Sequence, residues 1–441
     1  MRDNWIVVGN DLIQKQDEML APYAIKNIYS ITDDTRIYKE DIIQNDTRTP
    51  FQHDRDRIIH SRAFRRLRGK TQVFMSAKGD HYRTRISHTM EVQQISRSIA
   101  RVFSLNEDLT EAIALGHDLG HTPFGHIGER TLDKILRGNI DILDIKKDYG
   151  GFKHNYNSLK MVDSFEKAYK KFRGLNLTKW TREGIWKHTE LVNKKDGKTV
   201  YDKSLKLEML HPEISCCTFL EGQIVAISDE IAQVTHDLED AFRAKILTID
   251  NKSLNDIKLF YDIKRKTNIN DSLSAQEIRE LIGNLIKALI NSIIKQTKEI
   301  ILSDSSINPN EEPLNYQVFK LEPDIEEQYK QLRKILYDTI TYSYEISRMD
   351  IKGEHYIKRL FEAYYEDPKR LPDYTLERYS SLECKRKIER KDLTEELVKD
   401  LRKDMDFIRI IADQIAGMTD LYAIDEYRRL YLPDVTSITN I

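Results

Sequence analysis

The sequence predicts an all-α protein. Its 441 residues include only 17 glycines and 10 prolines, and stretches rich in Lys, Glu, Asp, Leu and Ile recur along the chain. This balance is typical of mostly helical proteins. Apolar residues also recur at helical spacing, because Val92, Ile95 and Ile99 follow His88 at offsets of 4, 7 and 11.

The composition excludes several classes of protein. A net charge of −2 is not that of a polycation that coats nucleic acid, so any anion site must be a local cluster. Three cysteines without a framework spacing fit a reducing compartment. The polar N-terminus does not resemble a signal peptide, and we expect no membrane span because no apolar run reaches about 18 residues. These features together predict a cytoplasmic protein.

We expect three parts along the chain. Residues 1–50 form a polar N-terminal segment, residues 51–245 a helical catalytic core, and residues 246–441 a second helical region that completes the site or forms an oligomer interface. Val192–Ser204 is typical of a surface loop or small hairpin. Ser303–Pro313 is the best candidate for a linker or long loop.

Three predicted helices each direct one metal-ligand type of residue toward the interior. His88 lies on the apolar face of the first helix, and His117 continues the apolar spacing of the second. Asn106 is a suitable N-cap for this second helix, and Gly120 is expected to end it. Asp229 lies on the apolar stripe of the third helix.

The candidate metal ligands are His88, His117, Asp118 and Asp229. Two imidazoles and two carboxylates suit one divalent ion such as Mn²⁺, Mg²⁺, Fe²⁺ or Co²⁺. A single buried histidine is more often a satisfied core residue, and Asp229 alone is as well explained by an ion pair. Neither explanation accounts for an adjacent His-Asp pair at the end of an apolar helix, so the set as a whole predicts metal binding.

The order of these residues resembles the H…HD…D signature of the HD-domain phosphohydrolases. The closer resemblance is to one branch, the deoxyguanosinetriphosphate triphosphohydrolase-like enzymes, and it covers mainly residues 48–242 with a weaker echo near the C-terminus. It implies an HD-domain helical fold with an additional C-terminal helical region. The stretches that carry the resemblance are 48–57, 63–66, 70–74, 79–88, 116–129, 174–178, 229–240 and 415–420.

Four residues are candidates for general acid–base chemistry. His126 and Glu129 lie three apart at the start of a predicted helix, where a carboxylate can orient an imidazole. Such a glutamate also suits the helix dipole alone, but the matching pair is catalytic in the family. His154 matches a family position that faces the scissile phosphate. His121 is a further candidate, and it could equally brace the loop that contains Pro123.

Three basic residues are candidates for phosphate binding. Arg85 lies three residues before His88 and offers a planar guanidinium as a clamp. The segment 55–70 holds seven basic residues, among them Arg66, aligned beside an apolar line on a helical wheel. This location favours anion binding or a contact between subunits. Lys187 resembles a phosphate-binding lysine of the family.

The resemblance also indicates where the sugar and base would bind. Asp237 matches a family position that binds the 3′-hydroxyl of the sugar. Gln72 matches a family position that lies near the sugar and base. The chain departs from the family at Gln233 and His188, where tyrosine is common, and these departures affect the expected preference for sugar or base.

The resemblance implies hydrolysis of deoxynucleoside triphosphates, dGTP or several of them, to deoxynucleoside and inorganic triphosphate. Two alternatives stay open: another HD-type phosphohydrolase, either a 5′-nucleotidase or a phosphodiesterase, or a regulator that binds nucleotides or single-stranded DNA. The family also implies a homo-oligomer, often a hexamer, with an allosteric deoxynucleoside triphosphate or single-stranded DNA as a possible regulator.

Overall fold

A computed structural model describes residues 7–32, 34–40, 46–72, 84–140, 145–192, 197–200, 202–267, 269, 274–382 and 385–432. Within these ranges the protein is built from α-helices, and β-pairing is limited to isolated bridges. The all-α prediction is therefore confirmed. The helices are α1 Asn10–Asp17, α2 Pro50–Ile59, α3 Arg62–Arg66, α4 Arg85–Val102, α5 Glu107–Gly116, α6 His126–Leu136, α7 His154–Lys160, α8 Lys179–Trp186, α9 Leu220–Arg243, α10 Lys252–Asn255, α11 Lys258–Lys266, α12 Ala275–Ser303, α13 Pro323–Thr341, α14 Tyr344–Glu366, α15 Asp373–Ser380, α16 Glu395–Leu401, α17 Met405–Ala416 and α18 Asp420–Tyr431.

The predicted start of α5 is confirmed and its predicted end is wrong. The Asn106 side chain accepts a hydrogen bond from the backbone N–H of Leu109, as an N-cap does. The helix ends at Gly116 rather than at Gly120. The chain turns after Gly116 because the Gly120 backbone is hydrogen bonded to α7, a long-range contact that helical spacing does not reveal.

One hydrophobic core joins the three helices that carry the candidate ligands. Helix α9 packs against α4, α5 and α8 on one side and against α12 and α13 on the other. Val92, Ile113, Val225, Leu285 and Leu332 are all buried in this core. Burial of each such side chain stabilises the fold by about 1.5–3 kcal/mol, so α4, α5 and α9 are held in fixed relative positions.

A second core brings the C-terminal helices onto α6. Helices α14 and α17 pack directly against α6, with Leu132, Leu360 and Ile411 fully buried between them. Hydrophobic contacts therefore cross residue 245. The expected division at 50 and 245 stays a prediction.

The arginine stripe predicted in segment 55–70 does not form. Helix α2 ends at Ile59, and the side chain of Ser61 caps the separate helix α3. Ile59, the last residue of α2, is 37% exposed, so no continuous apolar line runs through this segment. The wheel prediction is wrong because it assumed one continuous helix.

The two predicted loops connect helices as expected. An antiparallel bridge pairs Val192 with Thr199, while Asp196, the expected turn residue between them, lies outside the described residues. Segment 304–322 connects α12 to α13. It is anchored by buried Ile307 and by hydrogen bonds from Asn310 to the backbone of the N-terminal segment.

None of the described helices is both long and apolar enough to cross a membrane.

Candidate active site

Four side chains from three helices meet at one point, as the sequence predicts. Nε2 of His88 lies 2.8 Å from Oδ1 of Asp229 and 3.9 Å from Oδ2 of Asp118. Nε2 of His117 lies 3.4 Å from Oδ1 of Asp118 and 3.6 Å from Oδ1 of Asp229. Both histidines and Asp118 are buried, and the Asp229 side chain is 20% exposed. This set of donors can hold a divalent metal ion.

The hydrogen bonding of His117 fits a metal ligand. Its Nδ1 lies 2.7 Å from the Ala114 carbonyl oxygen. A carbonyl only accepts, so Nδ1 carries a hydrogen, and in the neutral imidazole Nε2 is the atom with the lone pair that can bind a metal. Among the described residues this buried Nε2 has no hydrogen-bond partner. A buried nitrogen left in this state costs free energy unless a cation binds it.

The two carboxylates make this point strongly negative. Burial opposes their ionisation, but the surrounding histidines, and Arg85 for Asp118, outweigh it and hold the pKa of both Asp118 and Asp229 well below the usual range. Burial also opposes protonation of His117, yet the two carboxylates raise its pKa to about 9. The local field therefore favours a cation between these side chains.

The turn after the His-Asp pair is fastened to α7. The Ser158 hydroxyl donates to the His117 carbonyl oxygen (2.7 Å) and accepts from the Gly120 N–H (2.8 Å). The Asn157 amide donates to the Gly120 carbonyl at 2.7 Å. A Cβ on Gly120 would lie 2.0 Å from the Ser158 nitrogen, so only glycine fits here. Because α7 begins at His154, the candidate ligands and His154 are joined rigidly.

Glu129 is hydrogen bonded to His154, whereas the sequence analysis expected it to orient His126. Oε2 of Glu129 lies 2.6 Å from Nδ1 of His154 and accepts a second bond from the His154 backbone N–H at 3.2 Å. Burial opposes ionisation of Glu129, but the charge and hydrogen bond of His154 outweigh it and hold its pKa far below the usual range. Helical spacing gave the neighbour on α6 and missed the partner on α7.

His188 continues this hydrogen-bonded chain. Its Nδ1 lies 2.7 Å from the Ile185 carbonyl oxygen and its Nε2 lies 3.2 Å from Nε2 of His154. His188 must donate to the carbonyl, so its Nε2 accepts from His154. His154 then donates from both nitrogens, to Glu129 and to His188. Burial and the neighbouring histidines lower the pKa of His188 to about 3, which is consistent with this accepting role.

His121 lies between the two groups of residues. Its ring stacks on that of His154, with centroids 3.8 Å apart. Its Nδ1 lies 2.9 Å from Oδ1 of Asp118, although the angle does not suit a hydrogen bond. Burial and the charge of Arg85 hold the pKa of His121 well below its usual value. His121 therefore packs as a neutral ring against His154.

His126 lies at the start of α6 with its side chain exposed. Gly125, the N-cap residue, has φ +61°, a left-handed conformation that glycine adopts without strain. The His126 ring lies 6.0 Å from the ring of His121. Its pKa is lowered to about 4, mainly by desolvation, which the charge of Glu129 only partly offsets. His126 is thus a neutral imidazole open to incoming solutes.

Arg85 extends toward the metal ligands and keeps spare donors. Nη1 donates to Oδ2 of Asp118 at 2.8 Å, and the residue is only 2% exposed. Nε and Nη2 are buried without a hydrogen-bond partner among the described residues. Two unpaired guanidinium donors beside a candidate metal site suit a phosphate oxygen.

Gln72 and Asp237 also direct unpaired oxygens into buried space. Oε1 of Gln72 and Oδ1 of Asp237 have no hydrogen-bond partner among the described residues. A Cβ built on Gly125 would lie 3.4 Å from the backbone carbonyl oxygen of Gln72 and 3.5 Å from Nη2 of Arg85. Gln72 is therefore a neighbour of Arg85 and adjoins the site. Burial and the charge of Asp240 raise the pKa of Asp237 to about 7. Both side chains can bind polar groups of a ligand.

The contacts of Lys187 and Arg66 do not involve the candidate metal ligands or the Glu129–His154 pair. Nζ of Lys187 lies 3.1 Å from Oε1 of Glu183 and 2.8 Å from the His211 carbonyl oxygen. Nη2 of Arg66 lies 3.8 Å from Sδ of Met161. Their expected role in substrate binding gains no support from these contacts.

Three residues that contact the candidate site residues were not predicted from the sequence. His188 was noted only as a departure from the family, although it bonds to His154. His236 lies behind His88 and is hydrogen bonded both to that ligand and to Glu91. The available signal was spacing, because Glu91 follows His88 by three residues and His236 follows Asp229 by seven.

Comparison with known families agrees with this fold and site. The model of the HD domain matches residues 85–233, which include all four candidate ligands. The model of the phosphohydrolase-associated domain matches residues 319–392 and 388–429. The protein is therefore an HD-domain protein of the phosphohydrolase type.

Similarity to individual proteins narrows the class. The chain is 37% identical over 415 residues to the deoxyguanosinetriphosphate triphosphohydrolase-like protein of Rickettsia felis, covering 93% of this chain and 98% of that protein. It is 36% identical over 423 residues to the protein of the same name from Rickettsia prowazekii, covering 95% and 100%. The chain belongs to the deoxyguanosinetriphosphate triphosphohydrolase-like family, which confirms the resemblance inferred from its motifs.

Proposed function

We propose that the protein hydrolyses deoxynucleoside triphosphates, dGTP or several of them, to deoxynucleoside and inorganic triphosphate. One observation carries the proposal: a four-residue metal-ligand set adjoins both a guanidinium with two unpaired donors and the Glu129–His154 pair. Relatives that align along nearly their whole length have names that refer to the same activity.

His88, His117, Asp118 and Asp229 would hold one divalent ion, Mn²⁺, Mg²⁺, Fe²⁺ or Co²⁺. When bound, the ion would supply Lewis-acid activation of the α-phosphate and of water. The unpaired Nη2 and Nε of Arg85 would bind phosphate oxygens and neutralise charge that develops during the reaction.

We assign to His154 the role of general acid, the group that donates a proton to the leaving group. Attack of water on the α-phosphorus breaks the bond to the 5′-oxygen of the sugar, and that oxygen must gain a proton as it leaves. His154 donates from both nitrogens in the hydrogen-bond pattern, and Glu129 stabilises its charged form. His126, open to solvent and neutral, is the second candidate for proton transfer.

Asp237 and Gln72 would bind the deoxyribose and the base. Their unpaired oxygens match hydroxyl and amine donors of a nucleoside. Phosphate binding by Lys187 and Arg66 stays a prediction, because Lys187 is hydrogen bonded to Glu183 and His211 and the contact of Arg66 with Met161 points to no ligand.

Product analysis tests the proposal. Purified full-length protein is incubated with Mn²⁺ or Mg²⁺ and each deoxynucleoside triphosphate, and the products are separated by anion exchange. Deoxynucleoside plus inorganic triphosphate supports the proposal, whereas nucleoside monophosphate plus pyrophosphate contradicts it. Turnover of monophosphates or cyclic nucleotides alone would favour another HD phosphohydrolase. Nucleotide binding without turnover, unchanged in His117→Ala, would favour a regulator.

Family membership also leads us to expect a homo-oligomer, such as a hexamer, regulated by a deoxynucleoside triphosphate or single-stranded DNA. Assays with nucleotide mixtures test the first regulator, because activity that appears only in mixtures requires a second binding site. Light scattering gives the oligomeric state.

A further inference from the structure

We propose that His236 and Glu91 act as positioning residues that fix the metal ligand His88 in the tautomer that binds metal. The proposal rests on the metal site of the proposed function. It assigns a role to two residues that lie behind the site and touch neither the reacting atoms nor the ion.

The three side chains form one hydrogen-bonded chain. Nδ1 of His88 lies 3.3 Å from Nδ1 of His236, with the ring planes at 77°. Nε2 of His236 is in turn hydrogen bonded to Oε2 of Glu91. His88 and His236 are 2% and 1% exposed, and the Glu91 side chain is 34% exposed. The chain therefore runs from the edge of the protein to a buried ligand.

The direction of donation follows from the carboxylate at its end. An ionised Glu91 only accepts, so Nε2 of His236 carries a hydrogen. The neutral ring then has a lone pair at Nδ1, which accepts from Nδ1–H of His88. With an ion bound, this arrangement would leave the lone pair of His88 on Nε2, the atom that is hydrogen bonded to Oδ1 of Asp229 at 2.8 Å in this structure. The opposite tautomer of His88 would put a hydrogen where the ion must bind.

The two histidine ligands are thus fixed in different ways. His117 donates to a backbone carbonyl, that of Ala114, which no side-chain substitution removes. His88 depends on a side-chain partner, which can be replaced. A buried His–Glu pair could instead serve only the contact between α4 and α9, so the test must measure metal binding separately from stability.

The experiment titrates metal-free, full-length protein with Mn²⁺ by calorimetry. We expect His236→Leu to weaken the Kd for Mn²⁺ by about 10–100-fold, the usual effect of losing such an outer partner. His236→Gln should restore most of the affinity, because its amide offers both an acceptor for His88 and a donor for Glu91. Glu91→Ala should weaken binding by roughly tenfold, and its partial exposure makes loss of folding improbable.

A matched control is the His53–Asp46 pair, which lies apart from the ligands with Nε2 and Oδ2 2.7 Å apart. His53→Leu removes a comparable pair and should lower the melting temperature without changing the affinity for Mn²⁺. Visible absorption of bound Co²⁺ adds a spectroscopic signature, which should change in His236→Leu and stay like wild type in His53→Leu.

Two failures are distinguishable. If wild type and all His236 and Glu91 variants bind Mn²⁺ equally, the positioning role is overturned and the metal site stands. If wild type binds none of Mn²⁺, Mg²⁺ and Co²⁺, the metal site of the proposed function fails, and the positioning role is overturned with it.

Discussion

Nδ1 of His154 and Oε2 of Glu129 lie 2.6 Å apart, a short charge-assisted hydrogen bond between α7 and α6. In the proposed mechanism Glu129 orients His154, and the two residues would act as one unit for proton transfer. His126, three residues before Glu129, faces solvent instead. Two histidines can thus serve as the acid, and the partner of Glu129 decides between them.

Replacing Glu129 by glutamine should reduce kcat by about 10²–10⁴-fold, the range that positioned acid–base groups contribute. A neutral amide would no longer stabilise a charged His154. His154→Ala should reduce kcat to a similar extent, and the double variant should lose little more, because the two residues act as a unit.

The decisive measurement is a double-mutant cycle with each histidine. Strong coupling of Glu129→Gln to His154→Ala, and weak coupling to His126→Ala, agrees with the hydrogen bonds. The reverse ranking would show that Glu129 serves His126 during turnover, as helical spacing alone suggested.

Arg85→Lys should lower kcat/KM by at least about tenfold, because an ammonium cannot offer the planar donors that Arg85 leaves unpaired. Part of the loss should appear in KM for the triphosphate. Arg97→Lys is the control. Arg97 lies on the same helix, and its Nη2 forms an ion pair with Oε2 of Glu107 at a distance of 3.1 Å, apart from the site. Equal effects of the two substitutions would exclude Arg85 as a phosphate clamp.

The candidate metal ligands were predictable because they follow the apolar spacing of three helices. His88 and Asp229 occupy inward positions of α4 and α9, and His117 continues the spacing of α5 directly after its last residue, so burial and convergence follow from periodicity. Asp118 follows directly from its neighbour. The H…HD…D signature then grouped the four residues into one candidate site, because their order along the chain matches it.

The partners of the catalytic side chains were not predictable. Glu129 with His154, and His88 with His236, are contacts between helices separated by 25 and 148 residues. Side-chain direction in such pairs depends on packing between helices, which spacing within one helix cannot give. The helical-wheel prediction for segment 55–70 was wrong for a related reason, since Ser61 starts a new helix within the assumed one, while the role of Arg66 in substrate binding stays a prediction.

The free energy of unfolding should fall as pH rises through the range in which Glu221 stays protonated in the folded state but is ionised in the unfolded state. Glu221 accepts from the backbone N–H groups of Ile25 and Asn106, and burial raises its pKa to about 7. The unfolded pKa is about 4.3. Between these values the folded state keeps a proton that the unfolded state has released, so the folded state loses up to about 4 kcal/mol of stability by pH 8.

Glu221→Gln should remove this pH dependence, because the amide oxygen can accept the same bonds without ionising. The melting temperature of the variant relative to wild type should therefore rise from pH 5 to pH 8. Glu107→Gln should show no such trend between pH 5 and pH 8, because hydrogen bonding to Arg101 lowers the pKa of Glu107 and its stabilising contribution is lost only as pH falls below about 4.3. Parallel melting curves for wild type and Glu221→Gln would contradict the assignment.

Asp420 should control activity although it belongs to the C-terminal region. Its carboxylate accepts from the backbone N–H groups of Thr71 and Phe124 at 2.9 Å each, and also from the Thr71 hydroxyl. Thr71 precedes Gln72, and Phe124 precedes Gly125 and His126. One buried side chain thus fixes both loops that border Arg85.

Asp420→Ala leaves two buried N–H groups without a partner and should destabilise the protein by about 2–5 kcal/mol. At a temperature where the variant stays folded, kcat/KM should still fall about tenfold or more, because small displacements of positioned groups are costly. Asp425→Ala, at an exposed position on the same helix, should leave both quantities unchanged. A folded Asp420→Ala variant with wild-type kcat/KM would show that the C-terminal helices stabilise the site without positioning it.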